Sequence, residues 1–389
     1  MRAKRKNGEG TWGEKIVTGK KYVFYRDPDL KYTYGSSVSE VKKKLKEKQN
    51  APQLDSDTEN TYISEYAIHW LYKIKRNVLK QQTFDNYEML INSWNLGDYS
   101  FDQVIIKELD DEKIQRFIDT MVDKEYSLGT IRKHWTILKQ CLEYGMIKKE
   151  IPQINLSLIT IPTEEGVKKK KKQVAFATAK DLDMLYNEAN KMNATKGTAR
   201  SPYFYGNNAK AIIFMGYTGL RISELTALQW KDVDFKNKTI TVSHTHAIVT
   251  NRDKNDKRKT DVILSTPKRY KSRTVPLSDR AFEQIIYFDN YNKNHKPDDY
   301  VFLSQRMTPL RKRNIYTTLA RMLNNCDANP DLTPHSLRHG FGSILLENKV
   351  DIKVISELLG HEDIRTTYNI YIGITDEQKK NAISTLNSL

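Results

Sequence analysis

The sequence predicts a mainly α-helical protein with small β elements, and three observations carry that prediction. Residues 62–150 repeat apolar side chains at helical spacing in four successive stretches. Short β-type runs occur in only two places, near the N-terminus and between Thr239 and Leu277. Two polar stretches, 51–61 and 151–177, divide the chain of 389 residues into parts of domain size.

The first part, residues 1–50, reads as a three-stranded sheet plus one helix. Trp12 to Val17, Lys21 to Tyr25 and Lys31 to Tyr34 are the strands. Gly19 with Lys20, and Asp27, Pro28 and Asp29, supply the turns. Ser37 to Gln49 follows as a helix with Val38, Val41 and Leu45 on its apolar stripe. In residues 62–150 the four faces are Tyr66, Trp70, Leu71 and Ile74; Phe84, Tyr87, Leu90, Ile91 and Trp94; Ile114, Phe117, Ile118 and Met121; and Ile131, Trp135, Leu138, Leu142 and Tyr144. Four amphipathic helices joined by short turns predict a compact helical domain. Residues 178–375 read as a larger α-rich domain with one β-hairpin insertion. Its strands are expected at Thr239 to Ile248, Thr260 to Leu264 and Ser272 to Leu277. The charged hairpin tip Asn251 to Lys259 reads equally well as a contacting finger or as a solvated loop. Asp376 to Leu389 reads as an amphipathic tail helix with Ala382, Ile383, Leu386 and Leu389 on its stripe.

Composition narrows the function. The formal charge of +16 and the pI of about 9.4 point to a polyanionic partner, nucleic acid first. Cys141 and Cys326 stand far apart in sequence with no metal-ligand or redox spacing, which predicts a reducing compartment. The basic N-terminus has no apolar stretch behind it, and no 18-residue apolar run is present, so a cytoplasmic, nucleoid-associated protein is expected. Basic side chains off the apolar faces are candidate DNA contacts. They are Lys20, Lys21, Arg26 and Lys31 in the first part, Arg76, Arg132 and Lys133 among the helices, Lys169 and Lys170 in the lysine run, and Arg269.

Four motifs in the last part bring together the residue types of one reaction. TGLRISEL (218–225) places Arg221 and Glu224 three apart, at a helix start after Gly219. TPKRYKSRTVPL (266–277) places Lys268 in a turn between strands. TPHSLRHG (333–340) puts His335 and Arg338 on one helical face, and LGHEDIRTTYNIY (359–371) puts His361 after a helix-ending glycine, with Tyr368 and Tyr371 downstream. Two permanently charged arginine forks suit the non-bridging oxygens of a phosphoryl transition state. A phenol can attack phosphorus once that charge is stabilised, and the phosphotyrosine conserves the bond energy. No Asp/Glu cluster accompanies the set, which disfavours a two-metal nuclease.

In this order, Arg, Lys, His-x-x-Arg, His, Tyr, the motifs resemble those of the tyrosine recombinases, the phage and transposon integrases, over about residues 178–389. The resemblance implies that Arg221, Lys268, His335, Arg338, His361 and Tyr371 form the catalytic set. Lys268 would then be general acid, His335 would assist proton transfer, and Glu224 would orient Arg221 or His335. It favours Tyr371 over Tyr368 as nucleophile by its spacing from His361. It also implies that 62–150 is a core-binding domain and 1–50 an arm-type DNA-binding domain. No cofactor, metal or ATP is expected. The implied partners are double-stranded DNA at core and arm sites, three further copies in a homotetramer, and an excisionase or host DNA-bending protein. The tail helix would fold back or dock on a neighbouring subunit. A dimer resolvase and a non-catalytic DNA-binding regulator are the rival readings.

Overall fold

The computed structural model describes residues 11–17, 20–26, 32–35, 37–39, 41, 60–167, 175–194, 202–253, 256, 258–266, 272–304 and 306–368. The chain splits into two compact units, Met1–Lys171 and Lys172–Leu389.

In the first unit, β1 (Thr11–Val17), β2 (Lys20–Arg26) and β3 (Tyr32–Gly35) form an antiparallel sheet in sequence order. Tyr25 pairs with Trp12 on one side and Thr33 on the other. Beyond position 41 the predicted N-terminal helix lies outside the described residues. The helical part follows the four predicted stretches. Helix α1 (Ile63–Trp70) runs on into a π-helical turn, Leu71–Lys75, and α2 (Gln81–Ile91), α3 (Asp111–Asp123) and α4 (Leu128–Ile147) follow. Asp110 caps α3 by accepting from the Lys113 N–H at 2.8 Å, and Ser127 caps α4 through Thr130 at 3.3 Å.

Trp94, Phe101 and Phe117 meet edge-to-face or stacked at the centre of this part. One turn position differs from the sequence expectation. His134 is buried and Trp135 only half-buried, because the Trp94 indole N–H donates to His134 Nδ1 at 3.1 Å. Burial holds the His134 imidazole at about 4, so it is the neutral acceptor this bond needs. The stretch read as a linker from 151 packs Ile151, Ile159 and Val167 into the same core.

The second unit is built around α6 (Pro202–Thr218). Its residues 206–216, the run GNNAKAIIFMG, are buried throughout. α5 (Ala179–Ala194), α8 (Asp279–Tyr291), α9 (Lys312–Asn325) and α10 (Pro334–Glu347) surround it. Two of its buried polar side chains are paired: Lys210 donates to Asn190 at 2.7 Å, and Asn207 donates to the Leu303 carbonyl at 2.8 Å. The short α7 (Ile222–Leu225) follows α6, and α11 (Ile352–Leu359) follows α10.

The β insertion differs from the predicted hairpin. The expected strand 239–248 breaks into β5 (Thr239–Val242) and β6 (Thr245–Thr250). β5 lies between β4 (Val233–Asp234) and β8 (Arg273–Pro276), while among the described residues β6 pairs with β7 (Thr260–Ser265) alone. The break falls at Ser243, whose hydroxyl donates to Asp232 at 2.9 Å and lies 2.7 Å from His244 Nδ1. At the hairpin tip Arg258 pairs with Asp256 and Asp261.

Gly340 on α10 marks a close approach. A Cβ there would lie 2.3 Å from the Ala177 carbonyl oxygen and 2.9 Å from its nitrogen. Backbone cannot yield as a side-chain tip can. Gly340→Ala is therefore expected to lose roughly 1–3 kcal/mol despite alanine's better helix propensity. An unchanged urea midpoint would show that the segment before α5 can shift.

Candidate active site

Three helix boundaries build the site in the second unit. At the first, Gly219 turns the chain with φ +65° after α6, and Arg221 stands at the N-cap of α7. At the second, Thr333 caps α10 through the Ser336 N–H at 3.1 Å, and Pro334 occupies the first turn, where a missing N–H costs nothing. His335 and Arg338 thus sit in the opening turns of α10. At the third, Gly360 ends α11 in the left-handed conformation, φ +64°, and releases His361.

These boundaries converge on one carboxylate. Glu224 is 2 % exposed. Its Oε1 accepts from Arg221 Nη1 at 2.8 Å and from Arg273 Nη1 at 3.0 Å. Its Oε2 accepts from the Arg221 backbone N–H at 2.9 Å and from Arg273 Nη2 at 2.8 Å. Arg338 Nη1 lies 3.9 Å from Oε2. Burial on its own would raise this carboxyl. The Arg273 hydrogen bonds, then the charges of Arg273, Arg221 and Arg338, outweigh it and hold the group at about 2.

The same three arginines share the C-terminal end of α11. Arg273 Nε donates to the Leu358 carbonyl at 2.8 Å, Arg338 Nη2 to Leu359 at 2.5 Å, and Arg221 Nη2 to Gly360 at 3.3 Å. Three successive carbonyls that the helix leaves unpaired each receive a different guanidinium, at the negative end of the helix dipole. Arg338 also donates to the Gly219 carbonyl at 2.7 Å and is buried, whereas the Arg221 side chain is 41 % exposed.

The histidines are neutral in this setting. His335 is depressed by burial and by Arg338 and Arg221. His361 is held at about 3 by burial and by the same two arginines first. Its Nδ1 lies 2.8 Å from the buried Thr367 hydroxyl, and with Thr367 donating, Nε2 carries the ring proton. His339 meets His335 edge-on with ring centroids 4.1 Å apart.

The structure thus brings Arg221, Glu224, Arg338 and His361 together, with His335 close enough to feel both arginines. Among the described residues Glu224 is hydrogen-bonded to Arg221 and not to His335. Lys268 and Tyr371 lie outside the described residues, as do Lys31, Lys169, Lys170 and Arg269. Tyr368 lies in a helical segment described over 364–368 and is exposed. Lys20, Lys21 and Arg26 are on β2, and Arg132 and Lys133 are exposed on α4. Arg76 is half-buried over the rings of Tyr72 and Phe84, a packing position rather than an open one. Sequence reasoning missed Arg273 and Thr367. The signal for Arg273 was a basic residue at the start of an inward-facing strand segment, RTVPL.

No helix among the described residues is long and apolar enough to cross a membrane. The XerC-like tyrosine recombinase of Caldanaerobacter subterraneus subsp. tengcongensis is 28% identical over 376 residues, covering 92% of this chain and 91% of the relative. The integrase of Staphylococcus phage L54a is 26% identical over 355 residues, covering 87% of this chain and 96% of its own. The fold matches that of the Tn1549 transposon integrase, solved with circular intermediate DNA, at a TM-score of 0.63 and 20% identity, over 80% of this chain and 95% of that one. It also matches the XerH site-specific recombinase, bound to its difH substrate, at a TM-score of 0.55 and 16% identity, over 87% of this chain and 99% of that one. Residues 175–378, more than half of the sequence, match the phage integrase family, and the chain belongs to that family, the tyrosine recombinases.

Proposed function

We propose that Tyr371 of this chain attacks the scissile phosphorus of DNA while Arg221 and Arg338 neutralise the charge that develops on the non-bridging oxygens. The protein is a tyrosine-type site-specific DNA recombinase, an integrase of a mobile element. One bond forms, from the Tyr371 phenolic oxygen to phosphorus, and one breaks, from phosphorus to the deoxyribose 5′-oxygen. The phenolic proton passes toward His335, which is neutral and able to accept it. The leaving 5′-oxygen takes a proton from Lys268. His361, also neutral, donates an N–H to the phosphate. A 5′-hydroxyl from a second duplex reverses the steps, and no ATP is consumed because the bond energy stays in the phosphotyrosine.

The observation that carries this reading is the convergence of Arg221 and Arg338 on Glu224 and on the end of α11, one residue before His361. The roles of Lys268 and Tyr371 rest on the order and spacing of the motifs. The helical domain at 62–150 would clamp the core site and the β1–β3 module would hold an arm site, so that linked contacts raise effective concentration. Exchange between two duplexes would use a homotetramer, with an excisionase or a host DNA-bending protein setting direction.

The test is a duplex carrying the core site with a nick that lets the short 5′-hydroxyl fragment diffuse away. A protein–DNA species that survives denaturant, with the label on the peptide containing Tyr371, is expected. Its absence with the unmodified chain would leave a DNA-binding protein without cleavage chemistry.

A further inference from the structure

We propose that Arg273 is a positioning residue, which saturates Glu224 so that the Arg221 fork remains available to the phosphate. The inference rests on the recombinase reading above and extends it to a residue outside the catalytic set that the motifs imply.

The geometry of Glu224 makes the case. A carboxylate offers about four lone-pair directions. In this site all four are used, two by Arg273 and two by Arg221, one of the latter coming from backbone. The Arg221 side chain therefore reaches Glu224 through Nη1 alone. Its Nη2 is spared for the Gly360 carbonyl, and its Nε has no hydrogen bond among the described residues. Without Arg273, two acceptor directions of a buried, charged carboxylate would stand empty beside a flexible, 41 % exposed guanidinium. The strongest arrangement open to that pair is the parallel, two-bond fork. Arg221 would close onto Glu224, leave Gly360 and turn its donors away from the substrate.

Arg273 is itself fixed on two further sides. Its Nε is bonded to the Leu358 carbonyl, and its side chain lies across Gly360. A Cβ at Gly360 would come within 2.8 Å of Arg273 Nη1 and 2.9 Å of Cδ. So Gly360 serves both its left-handed turn and the passage of Arg273. An arginine that only stabilised a buried charge would have no need of this second anchorage. Anchored at Leu358, Arg273 cannot follow Glu224 if the carboxylate moves, and the carboxylate is pinned to α11.

The test compares Arg273→Met, Arg273→Lys and the double variant Arg273→Met/Glu224→Gln with the unmodified chain. Three quantities are read: duplex affinity, the single-turnover rate of adduct formation at saturating nicked duplex, and the melting temperature. For Arg273→Met we expect a rate loss of about 100-fold, with affinity within about threefold. Lysine supplies charge but no fork, so Arg273→Lys should recover most of the melting temperature and only part of the rate. With Glu224→Gln measured alongside, the double variant should lose less than the product of the Arg273→Met and Glu224→Gln losses, because glutamine no longer draws Arg221 in. A rate within about threefold of the unmodified chain, or a rate loss matched by loss of affinity or of folded protein, would overturn the proposal. If the unmodified chain forms no adduct, the recombinase reading fails, and the proposal is then judged on the crystal structure of Arg273→Met. Arg221 forked onto Glu224 supports it; Arg221 unmoved overturns it.

Discussion

A chain carrying Tyr371→Phe is expected to form no covalent DNA adduct while still binding its duplex. The substitution keeps the ring and removes one hydroxyl, the group whose oxygen is proposed to bond to phosphorus. Affinity should stay within about threefold, because it comes mainly from lysines and arginines on phosphates. Tyr368 is the control. It is exposed, stands three positions earlier and lies in the helical segment that also carries Thr367, the partner of His361. Tyr368→Phe should leave the adduct in place. The reverse pattern, an adduct lost with Tyr368 and kept with Tyr371, would move the nucleophile to Tyr368 and discard the spacing argument.

The second large effect belongs to Glu224→Gln. Glutamine keeps the shape but offers one acceptor oxygen and turns an amide N–H₂ toward guanidinium donors. Breaking a buried ion pair from one side costs about 3–5 kcal/mol, since the partner charges remain. The acid limb gives an independent handle. The folded group titrates at about 2 against an ordinary 4.5. The stabilisation is fully present above 4.5 and drains as pH falls toward 2, about 3 kcal/mol in all. The histidines act at higher pH. His361, at about 3, and His339, at about 4, are neutral when folded, so protonation of the unfolded chain weakens the fold from about 6.5 downward. In the Gln variant the histidine limb should persist and the limb between 4.5 and 2 should vanish. Urea midpoints at several pH values would show it. An unchanged midpoint at pH 7 would mean that Glu224 contributes nothing net to the fold.

Local rules made much of this architecture legible. Asp110, Ser127 and Thr333 cap the helices they precede, and Gly360 ends α11, because these side chains act within a few residues of themselves. Arg221 and Glu224 were legible as a pair for the same reason. What stayed hidden depends on long-range partners. Arg273 reads as an ordinary strand residue until Glu224, 49 positions away, is folded against it. The exchange of His134 for Trp135 in the core of α4 is settled by Trp94, 40 positions upstream, whose indole N–H needs a buried acceptor. The break in the 239–248 strand carries no glycine or proline. It is made by Ser243 reaching Asp232.

The row of carbonyls at Leu358, Leu359 and Gly360 bears on when during synthesis the protein becomes able to cut. The arginines that gather there come from three separate regions, and the Arg221 contact spans 139 positions. Until α11 has left the ribosome, those guanidinium groups have no common anchor. A growing chain can already hold its helical unit and much of α6 without holding a formed anion site. A chain ending before α11 would lack the shared anchor of all three guanidinium groups.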